Sequence, residues 1–144
     1  MKIVLDTTIL VRANEHSHGL ARELLMRIVG SAHRLLLSNE MLYELARVLR
    51  YPRLQAFYDL PEDLVFDYIN FLRSSSEIVP LNPLVTAPIR DVNDVVVMQT
   101  AIIGEADILC TKDDDFFAEP ACEYLRKMGI GVLDDISLMQ RLRA

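Results

Sequence analysis

Short β-forming runs alternate with segments of helical periodicity along this chain. That alternation points to a parallel α/β sheet whose strands are joined by crossover helices. Lys2-Ile3-Val4-Leu5 is the first such run and ends at Asp6. A helix is expected over about 18–30, stopping near Gly30, and Leu35-Leu36-Leu37 reads as the second strand. Ser38 is placed as an N-cap with Met41 as the third residue of the helix it starts. Met41, Leu42, Leu45, Val48 and Leu49 then repeat at helical spacing over 39–50. Tyr51-Pro52 ends that helix, because a residue before proline avoids the α region.

Pro61-Glu62-Asp63 opens another helix to about Ser74, and Glu77-Ile78-Val79-Pro80 follows as a third strand. A proline-punctuated loop runs from Pro80 to Pro88. Asn93 is expected to cap a helix to Ile103, with Gly104 at its stop. Residues 107–111 form a fourth strand, 119–128 a helix and 131–133 a short strand. A last helix from about 135 places Ile136, Met139 and Leu142 on one face. The expected architecture is a three-layer α/β/α sandwich with a central parallel sheet of four to five strands, one domain over residues 1–144.

Ligands of open parallel α/β sheets bind beyond the carboxyl ends of the strands. Asp6 ends the first strand, Asp113 and Asp115 follow the fourth, and Asp94 lies in the first turn of the helix after the third. With right-handed crossovers these acids share one edge. Glu44 lies inside a helix, roughly 100° from the centre of its apolar stripe, and Glu40 roughly 140°. Glu44 can therefore lean toward a cleft, whereas Glu40 points to solvent. Each acid also has an ordinary explanation. Asp94 suits a helix dipole, 113–115 a solvated turn, and Glu44 an ion pair with Arg47 or Arg50. Four acids at one edge repel each other, however, and need cations or protons. Oxygen-only ligands select hard cations such as Mg²⁺ or Mn²⁺.

A net charge of −6 is unusual for a chain that handles phosphates. Cations bound among carboxylates would reverse the local potential. Cys110 and Cys122 lack metal spacing and read as reduced thiols. The opening apolar run is short and interrupted by Asp6, so neither signal peptide nor membrane span is expected, and a cytoplasmic location is inferred.

The motifs together resemble those of the PIN domain family. Val4-Leu5-Asp6-Thr7-Thr8-Ile9-Leu10 is similar to its opening strand, and Met41-Leu42-Tyr43-Glu44-Leu45 to its helix bearing a Glu. Asp91-Val92-Asn93-Asp94 with Gly104-Glu105-Ala106-Asp107 resembles its third motif, and Thr111-Lys112-Asp113-Asp114-Asp115-Phe116 its fourth. Arg50-Tyr51-Pro52-Arg53-Leu54 is similar to a subgroup described as toxin components of toxin–antitoxin modules, the VapC-like ribonucleases. The resemblance implies a metal-dependent ribonuclease using Mg²⁺ or Mn²⁺, with RNA as substrate, an antitoxin protein as partner, and assembly as a homodimer or higher oligomer. It implies Asp6, Glu44, Asp94 and Asp113 as catalytic metal ligands, with Asp115 a fifth ligand, and Thr7, Thr8, Asn93 and Thr111 as supporting groups. Thr8 stands where Asn or Ser is commoner, and Asn93 where the subgroup often has another Asp.

The implied reaction is hydrolysis of an RNA phosphodiester, in which a bound cation activates water and stabilises phosphoryl charge. Arg12, Lys112 and a stripe of Arg47, Arg50 and Arg53 are the candidate phosphate contacts. His16 and His18 fall in a loop and read as incidental. A receiver-type phosphoacceptor wants an acidic pair after the first strand, where Thr7 and Thr8 stand, and an Asp phosphatase wants Asp in place of Thr8. The remaining alternatives are a nuclease acting on DNA or in RNA processing, and a PIN fold kept as a binding module.

Overall fold

The computed structural model describes residues 1–144. Five strands form one sheet: β1 (Lys2–Leu5), β2 (Arg34–Leu37), β3 (Glu77–Ile78), β4 (Ile108–Cys110) and β5 (Gly131–Leu133). Their order is β3-β2-β1-β4-β5, and every neighbouring pair is parallel. The central strands are buried on both faces, which is why they read as unbroken apolar runs rather than alternating ones. Ile3, Val4, Leu5, Leu35, Leu36, Leu37, Ile108 and Leu109 form the middle of the core.

Helices cover the sheet as the three-layer α/β/α sandwich requires. They are α1 (Thr7–Arg12), α2 (Leu20–Val29), α3 (Asn39–Leu49), α4 (Pro52–Tyr58), α5 (Glu62–Ser75), α6 (Val92–Ile103), α7 (Asp114–Phe117), α8 (Ala121–Lys127) and α9 (Asp135–Arg143). The chain builds β1, β2 and β3 outward in one direction, then returns through α6 to β4 on the other side of β1. A right-handed crossover moving the opposite way places its helix on the opposite face. The order of the strands thus reverses between β1 and β4, and at such a switch point the loops at the strands' carboxyl ends part to leave a crevice. Asp6 N–H bonds Cys110 O at 2.9 Å and Thr111 N–H bonds Leu133 O at 3.0 Å, so the ladder continues to the lip of that crevice.

Ser38 caps α3 as expected, its hydroxyl accepting from Met41 N–H at 3.3 Å. Other boundaries differ for physical reasons. The cap of α6 is Asp91, not Asn93: the Asp91 carboxylate accepts the Asn93 N–H at 2.8 Å, and the helix starts at Val92. Helix α1 follows Asp6 directly, although its Thr and Val residues favour β structure, because the Asp6 side chain accepts Thr7 N–H. A new helix, α4, begins at the proline that ends α3, and no residue of it is buried. Strand β3 is shorter than read, although Val79 N–H still reaches Leu37 O at 2.8 Å.

At the last helix, Leu138 and Met139 face the core while Ile136 is exposed, so the apolar face is rotated from the expected one. Gly104 does end α6, but with φ −76; the left-handed residue is Glu105, φ 54. Ala106 N–H reaches back to Ala101 O at 2.9 Å and Glu105 N–H to Ile102 O at 3.2 Å, the paired bonds of a Schellman stop. Gly104 is required by close approach: a Cβ there would lie 2.8 Å from Leu36 Cδ1 and 2.9 Å from Thr100 O. Both cysteines are free thiols, Cys110 buried and Cys122 partly so. No helix is long and apolar enough to cross a membrane.

Candidate functional site

Four of the five expected acids line or floor one crevice, and the fifth sits at its edge. Asp6 leaves β1 at the switch point and is buried. One of its oxygens accepts Thr7 N–H at 2.6 Å and the other accepts the Thr111 hydroxyl at 2.7 Å. The same Thr111 oxygen accepts Asp113 N–H at 3.0 Å. A single buried hydroxyl therefore couples the carboxylate after β1 to the backbone of the acid after β4. Asp113 in turn caps α7, accepting Asp115 N–H at 2.9 Å.

Asp94 reaches the same place from the first turn of α6 and is buried. Asp94, Asp113 and Asp115 each offer a carboxylate oxygen, and these atoms lie within 4.8 Å of one another. Asp6, Glu44, Asp94 and Asp113, together with Thr7 and Thr8, line a cavity of about 240 Å³. Asp115 opens instead onto a neighbouring cleft. Glu44 lies on the wall contributed by α3, with 16% of its side chain exposed. Arg47 holds it through Nε at 3.0 Å and Nη2 at 2.7 Å, and Asn93 Nδ2 donates to it at 3.3 Å. Both sequence readings of Glu44 thus describe real contacts: it pairs along its helix and faces the cleft.

The electrostatics follow from this crowding. Burial, then the charges of Asp113, Asp6 and Asp91, push Asp94 up to about 7. Burial also raises Asp6, opposed by its hydrogen bonds from Thr111 and Thr7. Carboxylates that resist ionisation together are a site for positive charge. The donors are all oxygens, set in a partly buried cleft, and they fit a hard divalent cation.

The expected cations distribute differently. Arg47 is engaged by Glu44 and also donates to the Tyr51 hydroxyl at 2.7 Å. Arg50 pairs with Glu62 and donates to Ala46 O at 3.1 Å. The stripe formed with Arg53 is therefore not a row of free charges. Arg12 and Lys112 converge on one acid the sequence reading missed, each 3.7 Å from Asp135. The Asp135 side chain is 2% exposed and those of its two partners 45% each, so a buried anion anchors two half-exposed cations beside the crevice. The available signal was position: Asp134 and Asp135 follow β5 as Asp6 follows β1, with Asp134 capping α9 and Asp135 opening it. His16 Nδ1–H donates to Tyr58 O at 2.7 Å and serves the loop.

Comparison with known proteins agrees with this fold. A family model described as PIN domain matches residues 2–115, which includes all five acids. None of the curated proteins is similar enough in sequence to be matched. Among solved structures, the chain is similar to one described as VapBC2 from Rickettsia felis bound to a DNA fragment from their promoter. That likeness has a TM-score of 0.59 at 16% identity and covers 93% of this chain and 98% of the other.

Proposed function

The chain belongs to the PIN domain family, and we propose that it is a Mg²⁺- or Mn²⁺-dependent ribonuclease. The observation that carries this reading is the meeting of Asp94, Asp113 and Asp115 oxygens within 4.8 Å at the sheet's switch point. These three carboxylates would hold the ion, with Asp6 on the floor and Glu44 on the α3 wall completing the set. When bound, the cation lowers the pKa of a water toward neutrality and stabilises charge on the phosphoryl group and leaving oxygen.

The chain's own residues do the rest. Thr111 and Thr7 N–H fix both oxygens of Asp6, so its orientation is set before substrate arrives. Asp94 holds a proton near neutral pH and gives it up when positive charge enters the cleft. Arg47 and Asn93 hold the Glu44 carboxylate against the cleft wall. Thr8 stands at the mouth, exposed.

The resemblance to toxin components, together with the similarity to VapBC2, supports a further assignment as the toxin of a toxin–antitoxin pair with an antitoxin protein as partner; the resemblance alone carries assembly as a homodimer or higher oligomer. The test is cleavage of a mixed RNA pool with Mn²⁺, with Mg²⁺ and with EDTA, by the intact protein and by Asp6→Asn. Asn keeps the shape and one accepting oxygen, for Thr7 N–H, turns the other into an amide donor toward Thr111 Oγ1, and removes the charge. Cleavage that needs metal and is lost in Asp6→Asn supports the nuclease. If no cleavage occurs and calorimetry detects no Mn²⁺ binding, the chain is a PIN fold retained for binding.

A further inference from the structure

Beside the carboxylates lies a second and larger cleft, of about 570 Å³, bounded by Pro88, Ile89 and Arg90 on one side and Ala118, Pro120 and Ala121 on the other. Asp115 lines it, so the cleft begins where the metal-binding acids end. Its volume lies within the range of small-ligand sites. Its walls are mixed: Ile89 and the two prolines offer aliphatic surface against which a base can pack, while Arg90, Asp115 and Glu119 bring charge.

Arg90 is the only cation among the residues lining this cleft and the acid crevice. It differs from the other cations near the site. Arg47 is held by Glu44, Arg50 by Glu62, and Arg12 and Lys112 by Asp135. Arg90 is exposed and has neither an ion pair nor a side-chain hydrogen bond. Its position is set by the loop before α6, one residue ahead of the Asp91 cap and four ahead of Asp94. A charge held there, unpartnered, complements an anion entering from the acid site.

We infer that this cleft binds the nucleotide adjoining the scissile phosphate in single-stranded RNA, with Arg90 on its phosphate and its base between the Ile89 and Pro120 walls. The inference rests on the ribonuclease reading and supplies what the acid crevice lacks, a positive contact for the flanking strand. Paired RNA is excluded, because a base can enter the cleft only when splayed from its helix.

The experiment compares the intact protein with Arg90→Gln and with Ala118→Trp, which fills the cleft from an exposed position. Two readouts are taken: Mn²⁺-dependent cleavage of a mixed single-stranded RNA pool, and anisotropy of a fluorescent single-stranded RNA with metal-free protein over a salt series. Arg90→Gln is expected to raise KM about tenfold and to lower the slope of log affinity against log salt by about 0.7, the loss of one phosphate contact. Ala118→Trp is expected to weaken binding while leaving the salt slope in place, because it blocks the base and not the charge. Unchanged KM and salt slope in Arg90→Gln, in a protein that does cleave, would overturn the cleft assignment and leave the nuclease standing. Metal-free binding that depends on Arg90, in a protein that never cleaves, would keep the cleft and remove the nuclease.

Discussion

Asp94 gathers the electrostatic strain of the crevice into one side chain. Its pKa is raised to about 7 by burial and by the neighbouring charges of Asp113, Asp6 and Asp91. The folded chain therefore binds this proton more tightly than the unfolded chain does. Stability without metal is highest below the ordinary Asp range, falls as pH rises from about 4 toward 7, and levels off above the folded value. Asp94→Asn removes the group, so melts in EDTA should show a flatter pH profile and a higher Tm at pH 7.5 than the parent, by a few degrees for about 1 kcal/mol. A variant that melts lower at pH 7.5 would refute the crowding. Thr111 gives a second prediction. Thr111→Val leaves the buried Asp6 oxygen and the Asp113 N–H without a partner, costing about 1–3 kcal/mol in stability. Thr111→Ser should recover most of it in chemical denaturation. The gathering of Asp6, Asp94 and Asp113 in one crevice was legible because the motifs and the carboxyl ends of the strands point to the same edge. Asp135 was not, because its significance lies in two ion pairs to residues 23 or more positions away.

At the level of elements, local chemistry decided what could be read. Ser38 was legible as a cap because the apolar stripe of α3 starts at Met41 and fixes the helix phase. It is also buried and accepts the Thr100 hydroxyl at 2.9 Å, joining α3 to α6. Ser38→Ala should cost about 1–2 kcal/mol, measured by urea unfolding. A loss under a few tenths would mean that the cap is idle. Helix α4 was illegible since it buries nothing, and α1 since Thr and Val obscure a helix that exists through its Asp6 cap. Glu105 shows the limit of reading a glycine by rule. The glycine one residue earlier is there to clear Leu36, whereas the left-handed position is filled by Glu105. Glu105→Gly should raise stability by about 0.5–1 kcal/mol, while Gly104→Ala should lower it.

For the molecule as a whole, a net charge of −6 and the proposed phosphate-bearing substrate are reconciled by where the charge sits. Asp6, Glu44, Asp94, Asp113 and Asp115 gather at the edge where the strand order reverses, and cations nearby are anchored on Glu44, Glu62 and Asp135. The parallel sheet and the shared edge of its acids followed from alternation and the right-handed rule. The order of the strands did not, because nothing local in the sequence says on which side of β1 the fourth strand returns. The most direct measurement is calorimetric titration of Mn²⁺ into metal-free protein near pH 7, repeated in two buffers of different ionisation enthalpy. The account predicts saturable binding with net proton release, seen as heats that differ between the buffers, and loss of that release in Asp94→Asn. Absence of binding, or binding whose heat is the same in both buffers, would contradict a cation-driven discharge of the Asp94 proton.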